Sequence, residues 1–231
     1  MKKKTTNHFS SHILLCFCLL FFAENATLYS QSSTSPYDLS LKREIPLLVG
    51  GGIGVGTSLF LKKNKKILTE AEIQTLDAGD IWAFDKISTT KWSVKSQKAS
   101  DILMFGAIAL PLVLLADKDM RQDAATVSLI TFETYLINGM LTNLTKEIAR
   151  RKRPFLYNPS VPLERKQKTD ATSSFYSGHT SSVATATFMM AQIYSDYHPK
   201  SKAKPYIWAT AALIPAVTGY LRIRGGKHYP S

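Results

Sequence analysis

Five long apolar runs, separated by strongly charged turns, leave this chain few folds to choose from. The runs cover residues 45–61, 102–116, 124–144, 183–194 and 206–221, and Glu133 is the sole formally charged side chain in any of them. Between them stand K-K-N-K-K at 62–66, D-K-D-M-R-Q-D at 117–123 and H-P-K-S-K-A-K at 198–204. No convincing period-two alternation and no internal repeat accompanies the runs, so they read as helices and the fold class as all-α. Apolar residues make up 45% of the chain, close to the globular average, so their distribution carries this reading rather than their total. The expectation is a helical bundle with several transmembrane helices, although several runs are short for a full crossing.

The run at 45–61 contains G-G-G-I-G-V-G. It lacks the G-x-x-x-x-G-K-[ST] of a phosphate loop and a clean G-x-G-x-x-G with an acidic residue about 20 positions on. A small-residue helix packed closely on its neighbours fits it better. Glu133 is either a buried, hydrogen-bonded side chain or a functional one, and a place within a membrane helix favours the second.

Residues 1–30 read as a secretory signal. Lys2, Lys3 and Lys4 precede an apolar stretch at 13–23, which is too short to span a bilayer comfortably, and an uncleaved anchor is the alternative. Both cysteines, Cys16 and Cys18, fall inside it, so cleavage leaves a chain with no disulfide, thiolate nucleophile or cysteine metal site. The formal charge of +12 becomes +10 without this segment. Such a balance suits nucleic acid, an anionic membrane surface or an anionic substrate, and export disfavours the first. Residues 31–99 form a linker, the glycine-rich helix and an amphipathic segment. Trp82, Phe84 and Trp92 in that segment suit either a membrane interface or core packing. Asp77, Asp80 and Asp85 lack a calcium-loop pattern and read as surface or capping residues. Residues 100–231 form the third division.

Three polar clusters stand at the ends of apolar runs. The first is K-E-I-A-R-R-K-R-P at 146–154. Its Lys146, Arg150 and Arg153 are spaced i, i+4, i+7, which predicts one helix face, and Pro154 predicts a helix end. Guanidinium groups there could bind a phosphate in bidentate fashion; a membrane flank or solvated basic face is the bland reading. The second cluster is Ser177-Gly178-His179 at a helix start. Backbone N–H groups there make an anion seat and His179 can exchange a proton, whereas a serine N-cap beside a chance histidine is the bland reading. The third runs from Arg222 through Arg224, Gly225, Gly226 and Lys227 to His228, and could equally be a basic flank. No apolar run separates the first two clusters, and two runs separate the second from the third, so all three can share one side. Lys200, Lys202 and Lys204 place the intervening turn in the cytoplasm and the clusters in the periplasm.

These clusters resemble the motifs of the type 2 phosphatidic acid phosphatase superfamily, which also contains vanadium haloperoxidases and bacterial acid phosphatases. Lys146 to Pro154 fits K-x6-R-P. Ser177, Gly178 and His179 fit P-S-G-H, with Tyr176 in the proline position. Arg222 and His228 fit S-R-x5-H-x3-D, with Leu221 in the serine position and the aspartate falling one place beyond Ser231. The resemblance covers residues 100–231 and implies a phosphatase that needs no metal or cofactor. It implies His228 as the nucleophile that forms a phosphohistidine and His179 as the acid that protonates the leaving oxygen and then activates water. Lys146, Arg153 and Arg222 would hold the phosphate, assisted by Ser177 and the Gly178 amide, while Arg150 and Lys227 lie outside the motif and would only enrich the local field. The aspartate orients the nucleophilic imidazole in the family, so a chain that ends inside the third motif is expected to be a fragment.

The implied substrate is an anionic lipid phosphate or pyrophosphate at the periplasmic face of a bacterial inner membrane. The alternatives are a soluble periplasmic acid phosphatase, a vanadate-dependent haloperoxidase and a non-catalytic binder of anionic lipid.

Overall fold

Each of the five apolar runs lies on helix, and the helices extend beyond the runs into the charged residues. The computed structural model describes residues 35–231, of which Pro36–Ser231 form one compact unit. The expected signal segment and its two cysteines lie outside the described residues.

In chain order the α-helices are α1 (Leu41–Lys63), α2 (Glu70–Gln74), α3 (Ala83–Lys86), α4 (Val94–Ala109), α5 (Lys118–Gln122), α6 (Ala124–Ala149), α7 (Leu163–Lys166), α8 (Gly178–Tyr197) and α9 (Lys204–Arg224). Short 3-10 turns join them, and there is no strand among the described residues. The all-α expectation therefore holds. α4 continues into a 3-10 segment, Leu110–Ala116, whose second residue is Pro111. A proline there removes an amide hydrogen and crowds the preceding turn, which fits the tightening of the helix.

α8 is the central helix. It packs against α4, α6 and α9, while α1 packs along α6 and α9 also packs along α4. Its sequence explains the position. Val183, Ala186, Thr187 and Ala191 are small and almost fully buried, so three neighbours can approach closely. The Thr187 hydroxyl donates to backbone, its one hydrogen within reach of the carbonyls of Ala211 (2.8 Å) and Val183 (3.0 Å).

The glycine-rich helix behaves as its composition predicts. A Cβ at Gly51 would sit 2.8 Å from the Leu136 side chain, and one at Gly54 only 2.2 Å from Met140. These two glycines let α1 lie close on α6. The opposite face of α1 presents Val49, Ile53 and Phe60 to the outside, and α4 presents Ile102 and Phe105. Helices Leu41–Lys63 and Val94–Ala116 are long and apolar enough to cross a membrane.

Apolar clusters mark the two ends of the bundle. At one end, Leu114, Met120, Val127 and Ile193 pack with Tyr194 and Tyr197. At the other, Ile73, Phe155, Leu156, Val161 and Ala171 knit the loops together, with Trp92 against Phe155 at 5.6 Å between ring centroids. Trp92 is thus core, whereas Trp82 and Phe84 are exposed and stack on each other at 5.3 Å. Asp77 accepts a hydrogen bond from the Gly79 amide (2.7 Å), the capping role expected of it. Asp85 departs from that expectation: it is buried in an ion pair with Arg151 at 2.5 Å.

Glu133 is buried, and its Oε1 has no hydrogen-bond partner among the described residues. It lines a cavity of about 620 Å³ together with Arg43 and Glu44. Both of those side chains lie toward the start of α1, far along the bundle from the cationic clusters.

Candidate active site

α6 ends earlier than the proline predicts. Arg150 adopts a left-handed conformation (φ 45°, ψ 32°) and its amide bonds the Lys146 carbonyl at 3.0 Å, closing the helix at Ala149. Arg153 follows in extended backbone (φ −79°, ψ 150°). Lys146, Arg150 and Arg153 therefore do not share a helix face, contrary to the expectation from their spacing. The left-handed step turns the chain back, so that Lys146 and Arg153 reach one site by different routes. Arg150 instead hydrogen-bonds the Glu147 carbonyl at 3.1 Å.

The loops beyond α6 are pinned by backbone bonds. The Arg153 amide donates to Ala171 O (2.8 Å), Phe155 N to Gly226 O (3.0 Å) and Ser174 N to Arg151 O (2.9 Å). Gly226 makes this approach possible. It sits at φ +69°, and a Cβ there would lie 2.2 Å from the Lys91 carbonyl oxygen. Only glycine meets both demands without strain.

Arg153 is buried, and its fork is committed in three directions. Nε donates to Asp170 O (2.7 Å), one terminal nitrogen donates to Lys227 O (2.7 Å), and the same nitrogen lies 3.0 Å from His228 Nε2. The other ring nitrogen of His228, Nδ1, is 2.6 Å from the Ser174 carbonyl. A carbonyl only accepts and a guanidinium only donates. The hydrogen of the neutral ring therefore belongs on Nδ1, and Nε2 keeps its lone pair. Burial, then the charges of Arg153 and Arg222, hold the imidazole well below its usual pKa, so it is neutral at physiological pH.

Lys146, Gly178 and His179 meet where α6 ends and α8 begins. A Cβ built on Gly178 would fall 2.5 Å from Lys146 Nζ and 3.1 Å from the Thr142 methyl, so the glycine gives the ammonium its place. Ser177 is the N-cap of α8, accepting from Thr180 N at 3.2 Å, which is the bland role considered for it. Tyr176, in the position of the family's proline, receives a bond on its hydroxyl from Thr142 (3.1 Å) and so fastens this loop to α6.

Arg222 lies in the last turn of α9, almost fully buried. One terminal nitrogen bonds Ser100 Oγ at 3.2 Å and lies 3.6 Å from Asp101 Oδ1. Its Nε has no hydrogen-bond partner among the described residues. A buried, unpartnered guanidinium N–H is costly unless an acceptor arrives. Asp101 also takes His179 Nε2 at 2.7 Å. Burial and the positive charge of Arg222 push His179 down to about 4, with Asp101 pulling the other way.

Lys146, Arg153 and Arg222 thus face the two histidines, with Asp101 beside His179, and Arg165, Lys227 and Asp170 adjoin them. Burial alone would push Asp170 up, but its fork with Arg165 (2.8 and 2.6 Å) and the charge of Arg153 bring it down to about 2. Lys227 lies over the rings of Phe155 (5.1 Å) and Trp92 (5.5 Å), and burial followed by its cationic neighbours lowers it to about 7. The excess of positive charge, sealed from solvent on several sides, suits a doubly charged phosphate. Among the described residues, no group of three His, Cys, Asp or Glu side chains is placed to hold a metal ion.

Of the residues singled out in the sequence, Lys146, Arg153, Ser177, Gly178, His179, Arg222 and His228 lie together at this end of the bundle, whereas Glu133 does not and Arg150 turns to the Glu147 carbonyl. Three more were not legible in the sequence. Asp101 bridges His179 and Arg222. Lys65, on the turn after α1, is buried against Glu147 (3.0 Å) and Ser173 (2.8 Å). Arg151, which shares the basic run, reaches Asp85, stacks over Tyr229 at 4.3 Å and so steadies the segment that carries His228.

Residues 127–231 match the family model described as the PAP2 superfamily. Comparison with curated proteins and with solved structures gave no match.

Proposed function

We propose, starting from the match of residues 127–231 to the PAP2 superfamily, which supports a hydrolase of the phosphatase class, that this protein cleaves phosphate from a membrane lipid through a phosphohistidine. The observation that carries the reading is the arrangement of His228, whose unprotonated Nε2 accepts from Arg153 while Nδ1–H is held by Ser174. A neutral imidazole with its lone pair aimed into a cationic site is a nucleophile for phosphorus.

In the first step Nε2 of His228 forms a bond to phosphorus, and the bond from phosphorus to the lipid oxygen breaks. His179 gives its proton to that oxygen, so the lipid leaves as an alcohol, or as a monophosphate if the substrate is a pyrophosphate. In the second step water gives a proton to His179 and its oxygen attacks phosphorus. The N–P bond breaks, and phosphate and the free imidazole are regenerated. Lys146, Arg153 and Arg222 neutralise the oxygens of the transferring group throughout, with Ser177 and the Gly178 amide beside them. The unpartnered Nε of Arg222 supports the assignment, because a phosphate oxygen is the acceptor it lacks.

The lipid reading is supported by the exposed apolar faces of α1 and α4, which suit acyl chains, together with a cationic end that suits a headgroup. The signal-like first thirty residues and the basic turn at 198–204 support a periplasmic face of an inner membrane for that end. The test is rapid-quench labelling with phosphatidic acid carrying radioactive phosphate. The full chain should give an acid-labile, base-stable phosphohistidine and release phosphate, and His228→Ala should give neither. Release that persists in both His228→Ala and His179→Ala overturns this mechanism. Tight lipid binding without release by the unmodified chain points to a non-catalytic binder.

A further inference from the structure

We infer that Asp101 is a positioning residue for the proton transfer, holding His179 by Nε2 so that Nδ1 is the nitrogen that exchanges a proton with the substrate. The inference rests on the phosphatase reading and adds to it a residue outside the three motifs.

The geometry is specific. Asp101 Oδ1 lies 2.7 Å from His179 Nε2 and 3.6 Å from Arg222, so one carboxylate oxygen serves the start of α8 and the end of α9. A carboxylate accepts only, so the hydrogen of the neutral ring lies on Nε2 and the lone pair on Nδ1. The ring is thereby fixed in one tautomer and orientation, as a carboxylate fixes the base of a serine triad. Ser100, the preceding residue, is fully buried and bonds Arg222 at 3.2 Å. Two successive residues of α4 thus meet the two ends that bear the chemistry. The register of α4 is in turn held by Gln97, whose side-chain amide bonds Gly225 O at 2.8 Å.

Three charged groups face His179: Asp101 from α4, Arg222 from α9 and Lys146 from α6. The two cations disfavour the imidazolium and Asp101 favours it. The carboxylate therefore has a second effect, keeping His179 basic enough to carry the proton it must deliver to the leaving oxygen. When the P–O bond breaks, that proton passes from Nδ1 to oxygen while Nε2–H stays on Asp101. In the second step Nδ1 receives the proton of the attacking water.

The test compares two leaving groups. A dialkylglycerol phosphate leaves as a poor, strongly basic alkoxide and needs the acid; p-nitrophenyl phosphate leaves as a stabilised phenolate and hardly needs it. The values of kcat/KM, which report the step that forms the phosphoenzyme, are measured for both substrates with the full chain, Asp101→Asn, Asp101→Glu and His179→Asn. Asp101→Asn is expected to lower kcat/KM on the alkyl ester about 10- to 100-fold and on the aryl ester less than about 5-fold. His179→Asn should show the same asymmetry and Asp101→Glu should recover part of the loss. The limb on which kcat/KM falls as pH rises should move to lower pH in Asp101→Asn, because the imidazolium has lost its counter-charge. Equal losses on both substrates, with an unmoved limb, mean that Asp101 serves the fold or Arg222 alone and overturn the inference. No turnover of either substrate by the unmodified chain would instead fail the phosphatase reading itself, so the two failures are separable.

Discussion

The Nδ1 atom of His228 lies 2.6 Å from the backbone carbonyl of Ser174, fifty-four residues away in the chain. This contact gives the imidazole an orienting acceptor supplied by the main chain. It is the role that the resemblance assigned to an aspartate four positions after the histidine. A carbonyl cannot titrate, so its hold on the ring does not weaken in acid.

Acid should destabilise the fold through the two histidines. Both have folded pKa values below the ordinary imidazole value, His179 at about 4 and His228 lower still. The unfolded chain then binds more protons below pH 6.5, and stability falls as pH drops from about 6.5 toward the folded values. Thermal melting in detergent between pH 7 and 4 should show the decline, and His179→Asn with His228→Asn should flatten it. A melting temperature constant over that range in the unmodified chain would contradict the assignment.

Arg153→Lys should cost far more than a conserved charge suggests. Lysine cannot reach Asp170 O, Lys227 O and His228 Nε2 together, as the guanidinium does. Losing an electrostatic donor of this kind lowers kcat by about 10²–10³-fold. Steady-state kinetics should show that loss with a smaller change in KM, and circular dichroism should still report a helical protein.

Gly178→Ala probes the place of Lys146. The added methyl falls 2.5 Å from Nζ, and since that is the tip of a flexible chain, the ammonium moves rather than the backbone. Phosphate loses a cation while α8 gains a better helix former. Inhibition by inorganic phosphate should weaken about 10-fold, corresponding to about 1.4 kcal/mol, with melting unchanged or raised. A drop in melting temperature would show that the loop, not the lysine, yields.

Lys65 and Glu147 offer a stability test on a pair that adjoins the site without belonging to the three motifs. Their side chains are 2% and 5% exposed and 3.0 Å apart. Lys65→Met leaves a buried carboxylate unpaired, an outcome that typically costs about 3–5 kcal/mol. The double change to Met and Leu should recover most of the loss. If the single change melts like the unmodified chain, the pair is not buried as described.

The parts of the site that could be read from sequence are those whose spacing is local. Lys146 with Arg153, Ser177 with His179 and Arg222 with His228 each lie within one turn or one short loop. Asp101, Lys65 and Arg151 were not legible as partners because their contacts span 78, 82 and 66 residues. No periodicity records such pairs. The long helices were legible from their apolar runs, including the close packing of Gly51 and Gly54. The shared helix face of Lys146, Arg150 and Arg153 was not, because a single left-handed residue ends α6 before Pro154. Trp82, Phe84 and Trp92 looked alike as aromatics, yet only packing could separate the exposed pair from the core ring.

Lys65 is fastened to Glu147, the neighbour of Lys146, and Asp85 to Arg151, while Ser100 and Asp101 reach Arg222 and His179. All four of these partners precede residue 127, where the match to the family begins. The matched stretch thus carries the proposed reacting groups and their loop bonds, while the partners that hold Glu147, Arg151, Arg222 and His179, from the turn after α1 and from α3 and α4, lie outside it. A hybrid that joins residues 127–231 to a foreign first half should inherit the motifs and lose the rate, unless a lysine, two aspartates and a serine are supplied at the same places.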